Sequence, residues 1–159
     1  MLGVFAEFRK KGYDIKKRYY SAGYYSPQMT QMNTDFKELN KISYKIIGCA
    51  YKVHSALGPG LLESTYEVCH HFEMTESGLF VERQKELPLL YNNIKLDAGY
   101  RIDLFVERKI IIEIKSVEVI APIHKAQILT YMKLANIKLG LLINFNTVDL
   151  KEGIQRFVL

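Results

Sequence analysis

The chain has 159 residues, 48% hydrophobic and 25% charged, which suits one soluble globular domain with its own core. No apolar run approaches the roughly 20 residues of a membrane span, so no membrane partner is expected. The formal net charge of +5 points to a polyanion, yet residues 1–31 hold +4 of it and residues 32–159 only +1, so composition does not make the body a basic surface.

Residues 1–31 differ from the rest. Seven aromatic residues, among them the pairs Tyr19-Tyr20 and Tyr24-Tyr25, mix with six basic ones. Val4-Phe5-Ala6 runs at once into Glu7 and a basic stretch, which does not read as a signal peptide. A short basic helix around residues 3–18 is one reading, and tyrosines among basic residues suit stacking on single-stranded bases. The plainer expectation is a poorly ordered extension, with Met32 an alternative start. The expected organisation is therefore an extension, 1–31, and a single domain, 32–159.

A first helix is expected from Asp35, which with Glu38 forms a capping-box variant. Leu39, Ile42, Ile46, Cys49, Val53 and Ala56 form its apolar stripe, and Gly58-Pro59-Gly60 stops it. This Gly-Pro-Gly follows a helix and lacks Gly-Lys-Ser/Thr, so a nucleotide-binding loop is rejected. A second helix spans about 62–77 and ends at Gly78. Cys49 and Cys69 read as reduced core thiols of a cytoplasmic protein, and His70-His71 as helix-surface residues without zinc spacing. The period then changes to that of strands: 79–81, 86–91, 94–96 and 100–106, with Asn92-Asn93 as a hairpin turn. Residues 110–115 form the richest strand and should be central. Pro122 opens a third helix to about Ala135, 139–144 is a buried strand, and 156–159 a last edge strand. That order predicts an α/β fold with a mixed central β-sheet flanked by α-helices.

Three charges stand out against this background. Glu113 and Lys115 alternate with Ile112 and Ile114, so they share one face of the central strand. If 100–106 and 110–115 pair as a hairpin over the turn Glu107-Arg108-Lys109, Asp103 comes beside Glu113. Two carboxylates offer hard oxygen ligands to Mg²⁺, and a lysine beside them can orient a water or neutralise developing charge, which suits phosphodiester hydrolysis. The plain alternative is a solvated hairpin face with an ordinary cross-strand ion pair. Glu63 and Tyr66 share a face of the second helix, where a first-turn carboxylate also suits the helix dipole. Gln127 and Tyr131 share a face of the third, after His124 and Lys125.

Residues 33–159 resemble the Gly-x-x-Glu-x-x-Tyr protein family of the PD-(D/E)xK nuclease superfamily. The resemblance rests on Leu57-Gly58-Pro59-Gly60-Leu61-Leu62-Glu63 with Tyr66, Gly99-Tyr100-Arg101-Ile102-Asp103-Leu104, Glu113-Ile114-Lys115, Pro122-Ile123-His124-Lys125-Ala126-Gln127, Thr130-Tyr131, and Gly140-Leu141-Leu142-Ile143-Asn144-Phe145, in that order. It implies a restriction-endonuclease-like core and a nuclease cutting DNA ahead of RNA with Mg²⁺ or Mn²⁺. It implies Asp103, Glu113 and Glu63 as metal ligands, Lys115 as the catalytic lysine, and Gln127 and Tyr131 as the Q-x-x-x-Y element of RecB-type nucleases. His124 and Tyr66 are assigned to substrate contact. Ile102 stands where the signature has proline, a position that does no chemistry. A homodimer or an accessory protein is the expected route to substrate grip for so small a chain. The rival class is a non-catalytic module with the nuclease fold, favoured by the nearly neutral body.

Overall fold

The computed structural model describes residues 27–92 and 94–159. The expectations for the extension before residue 27 lie outside them. The chain divides into two compact units after Lys37. The first contributes only the opening turns of one helix to the described residues, and the second holds everything below.

Helix α1 is Pro27–Leu57, α2 is Glu63–Glu76, and strand β1 is Val81–Tyr91. Strand β2 is Ile94–Val106, β3 is Ile110–Lys115, and helix α3 is Pro122–Ala135. Strand β4 is Leu139–Asn144, α4 is the single turn Leu150–Gly153, and β5 is Ile154–Val158. Among the described residues the strands form one sheet in the order β1-β2-β3-β4-β5. Only β3 and β4 run parallel, joined through α3; the other neighbours are antiparallel. This is the mixed sheet flanked by helices, and β3 is its middle strand.

Three expectations change. Helix α1 opens at Pro27, so Asp35 lies inside it and not at its start; proline is well placed at a first helical position because its missing N–H would have no partner there. The four strand fragments fuse into two long strands. Their charged and small stretches hide the pattern because β1 is an edge strand, free to present polar residues to water. Pro88 is tolerated there at a register shift between Leu87 and Leu89. His70 is not on the surface. It is fully buried, its Nε2 donates to the Ile46 carbonyl at 3.0 Å, and its ring meets Phe145 edge-on. Burial pushes its pKa down to about 4. Of the two free thiols, Cys49 is buried and Cys69 half-buried.

The turn joining β2 to β3 is held from outside. Glu107 and Arg108 both take positive φ, 51° and 53°, at some cost for residues with a Cβ. Glu107 accepts from the Phe80 N–H through its carboxylate and donates its own N–H to the Phe80 carbonyl, both at 2.9 Å. The Arg108 guanidinium lies over the Phe80 ring.

On one face of the sheet, Ile111 of β3 and Leu142 of β4 pack with Ile128, Tyr131 and Met132 of α3. Gly140 allows that approach: a Cβ there would sit 2.6 Å from the Met132 Sδ and 3.0 Å from the Ile128 Cδ1. Ile110, Ile112 and Ile114 alternate onto the other face and are equally buried. Being apolar on both sides fits β3 to the centre of the sheet.

Candidate active site

The ladder between β2 and β3 runs Val106↔Ile110, Phe105↔Ile111, Leu104↔Ile112 and then stops. The next pair in this register is Asp103 and Glu113. Here the Asp103 side chain replaces the ladder: its Oδ2 accepts from the Ile114 N–H at 2.8 Å. The strands part at this point, and their polar residues meet where they do so. By alternation Glu113 and Lys115 project to the side of Ile111, the α3 side.

Glu113 is 1% exposed. Its Oε1 accepts from Lys115 Nζ at 2.7 Å, while its Oε2 is buried with no hydrogen-bond partner. Burial first, then the Asp103 charge, lifts the Glu113 carboxyl to about 7 against the pull of Lys115. Burial also raises Asp103, against the Ile114 N–H and Lys115, with Glu67 and Glu63 adding to the rise. For Lys115 burial works downward, but the hydrogen bond and charge of Glu113, with Glu63 and Asp103, outweigh it and raise its pKa. Lys115 is therefore an ammonium set among carboxylates that outnumber it.

Glu63 reaches the same place from α2. Its Oε1 accepts from the Ser116 N–H at 3.1 Å, just beyond β3, and Ser116 Oγ donates to the Leu61 carbonyl. A cavity of about 390 Å³ opens here, lined by Leu61, Leu62, Glu63, Ser64 and Ser116. Tyr66 lies beneath it. Its hydroxyl donates to the Gly58 carbonyl at 2.7 Å and accepts from the Leu61 N–H at 3.1 Å, and its ring stacks on Phe145 at 4.6 Å. With no exposed surface, Tyr66 cannot touch a substrate directly; it anchors the Gly58–Leu62 loop that aims Glu63. The spacing between Gly60, Glu63 and Tyr66 thus has a physical basis: a glycine at φ 98° turns the chain, a glutamate meets the strand end, and a tyrosine one turn later pins the turn.

From the opposite side, Gln127 Nε2 donates to the Tyr131 hydroxyl at 3.1 Å. Burial raises the Tyr131 pKa; its Gln127 hydrogen bond opposes this, and the charges of Glu113 and Asp103 reinforce it. His124 is half-buried and already engaged: Nδ1 accepts from the Ala121 N–H at 3.2 Å and caps the start of α3. Its assignment to substrate contact is therefore weakened by a plain local role.

Residues not singled out in advance complete the surroundings. Asn144, level with Lys115 in the β3–β4 register, accepts from the Val117 and Asn146 N–H groups and donates to the Val117 carbonyl. Phe145 N–H donates to the Lys115 carbonyl at 2.9 Å. One polar residue ending a run of apolar ones was the available signal. Glu67, one turn beyond Glu63, accepts from Arg83 Nε and Gln84 Nε2; nothing local in the sequence indicates that pairing.

A divalent cation fits this donor set. The carboxylates are hard oxygen donors, Glu113 Oε2 lacks a partner, and the negative charge is under-compensated. Among the described residues, however, no group of three or more His, Cys, Asp or Glu is gathered into a ready-made metal cage. Each carboxylate is held by its own hydrogen bond: Asp103 by Ile114, Glu113 by Lys115, Glu63 by Ser116. Mg²⁺ characteristically takes one or two carboxylates and keeps waters, so it does not require such a cage.

A family model of the PD-(D/E)XK nuclease superfamily matches residues 40–157. No curated protein and no solved structure matches the chain.

Proposed function

Because the chain belongs to the PD-(D/E)XK nuclease superfamily, we propose that it is an active divalent-metal nuclease, of the Gly-x-x-Glu-x-x-Tyr kind, hydrolysing phosphodiester bonds of DNA ahead of RNA. The observation that carries this reading is the buried, partnerless Glu113 Oε2 beside a second carboxylate and a charged lysine. A carboxyl group left half-satisfied inside a protein costs stability, and a structural role alone would have been served by a residue with no such oxygen.

Asp103 and Glu113, with Glu63, would hold one or two Mg²⁺ or Mn²⁺ ions. When bound, the ion polarises the phosphoryl group, makes a water more acidic and stabilises the leaving oxygen. Lys115 orients the attacking water and offsets charge on the phosphate. The water oxygen bonds to phosphorus and gives up one proton to solvent, the phosphorus–sugar oxygen bond breaks, and the leaving sugar oxygen takes up one proton from solvent. Gln127 and Tyr131 orient the phosphate or the lysine ammonium. Tyr66 keeps the loop of Glu63 in place.

The deciding experiment is a screen of labelled single-stranded, duplex and branched substrates with Mg²⁺ and with Mn²⁺, run beside Asp103→Ala and Lys115→Ala. The expected result is metal-dependent cleavage lost in both variants without loss of fold. Cleavage at the parent rate in both would exclude the assignment.

A non-catalytic nuclease-fold module is the second reading, favoured by the lack of a ready-made cage among the described residues and by the nearly neutral body. Calorimetric Mn²⁺ titration separates the two: binding that disappears in Glu113→Gln supports the enzyme, and no binding at all supports the module.

A further inference from the structure

We propose that Arg83 is a nucleic-acid phosphate clamp beside the cleavage site, held ready by Glu67. The inference rests on the nucleolytic reading and adds a substrate-binding residue to it. By the flanking pairs Arg83↔Leu104 and Lys85↔Ile102, Gln84 stands opposite Asp103, so Arg83 is next to the position that faces a candidate metal ligand across two strands. Cross-strand pairs share a face, so Arg83 lies with Leu104 and Ile112 on the face opposite Glu113, and it approaches the site through Glu67, one helical turn from Glu63 on α2.

The backbone is bent to build this arrangement. Gln84 has φ 49°, a left-handed conformation that a residue with a Cβ adopts at a cost. Consecutive strand residues normally point to opposite faces, yet Arg83 and Gln84 both reach Glu67. Arg83 Nε donates to Glu67 Oε1 at 2.9 Å and Gln84 Nε2 to Oε2 at 2.6 Å. Glu67 is 7% exposed, one turn after Glu63 on the same face of α2. Its two oxygens are thus committed to orienting its neighbours.

Arg83 itself is not used up by the pairing. Its side chain is 38% exposed, and among the described residues only Nε is engaged. The terminal amines of the fork remain for a ligand. A planar guanidinium fixed along one edge and open along the other suits a phosphate, with the entropy of ordering the side chain already spent in the free protein. On a body whose net charge is close to zero, a single placed cation weighs more than it would on a basic surface.

The test is fluorescence-anisotropy binding of labelled single-stranded and duplex oligonucleotides across a salt series, in the cleavage-deficient Lys115→Ala protein. Arg83→Gln should weaken binding about tenfold at 0.1 M salt and lower the salt slope by about one, whatever the sequence. Arg156→Gln removes the same charge at the other edge of the sheet and should leave both unchanged. In the cleaving protein, Arg83→Gln should raise KM about tenfold with kcat within about twofold, as loss of uniform binding requires. If Arg83→Gln does not fold, Arg83→Lys keeps an ion pair with Glu67 but cannot grip Glu67 and a phosphate together, and binds nearer the Gln variant than the parent. Parent affinity and slope in Arg83→Gln, or in Arg83→Lys, overturn the clamp and leave the nuclease reading intact. Binding without cleavage in the parent sinks the nuclease reading but not the clamp, and a parent that neither binds nor cleaves ends both.

Discussion

Lys115 and Asn144 are partners in register at the ends of two parallel strands, yet their surroundings are built on opposite rules. The Asn144 side chain is matched: both ends of the amide are bonded, and the chain leaving β3 is fastened to the chain leaving β4. One strand over, Glu113 keeps an unpaired oxygen, Asp103 and Glu63 add like charge, and one ammonium answers them. A matched buried amide fixes a structure, whereas a surplus of buried carboxylate holds a place for something cationic.

The strongest way to break this contrast is to remove the charged side. Lys115→Ala or Asp103→Ala should lower the cleavage rate by about a thousandfold, the order of loss when a group aimed at transition-state charge is deleted. Single-turnover assays would read this, with circular dichroism confirming the fold.

Next in size is a pH effect of roughly 3 kcal/mol on each of two groups with opposite sign. Glu113 is raised to about 7, so its folded form holds a proton that the unfolded form has lost; that stability is complete at low pH and disappears as pH rises from about 4.5 through 7. His70 is lowered to about 4, so between about 6.5 and 4 the unfolded chain binds the proton and the folded one refuses it; stability is lost as pH falls through that window. The two slopes largely cancel in the parent between about pH 4.5 and 6.5. Glu113→Gln should unmask His70, giving urea stabilities that rise steadily with pH up to about 6.5. A flat profile in that variant would show that His70 does not carry this load.

On the matched side, Asn144→Ala should cost roughly 1–2 kcal/mol by leaving half-buried backbone groups at Val117 unpaired. Its activity per folded molecule should fall less than tenfold, read by titrating active protein against the denaturation curve. Smallest is Tyr131→Phe, which removes the acceptor of Gln127 and should slow cleavage by roughly tenfold or less without changing metal affinity.

Much of this site could be read from the chain because its parts are local. The alternation of Ile and charge through residues 112–115 and a short turn back to Asp103 determine the register that sets Asp103 against Glu113. Helix α3 begins at its proline and ends at Ala135, as the expectation had it. What escaped is carried by long-range pairing. His70 looks like one more polar helix residue until a carbonyl of α1 accepts its N–H. Glu67 finds its partners sixteen and seventeen residues away. The strands β1 and β2 hide behind Glu-Arg-Gln-Lys and Asp-Ala-Gly because an edge hairpin need not be apolar.

Gly140 gives the smallest group in the molecule control over a distance. With nothing but hydrogen at that position, α3, the helix that carries Gln127 and Tyr131, rests on β4. A single added methyl would press on the Met132 and Ile128 side chains of α3 while leaving every charge in place. Under the nuclease reading, the cleavage rate should therefore be tunable by thickness alone, from a position that carries no side chain.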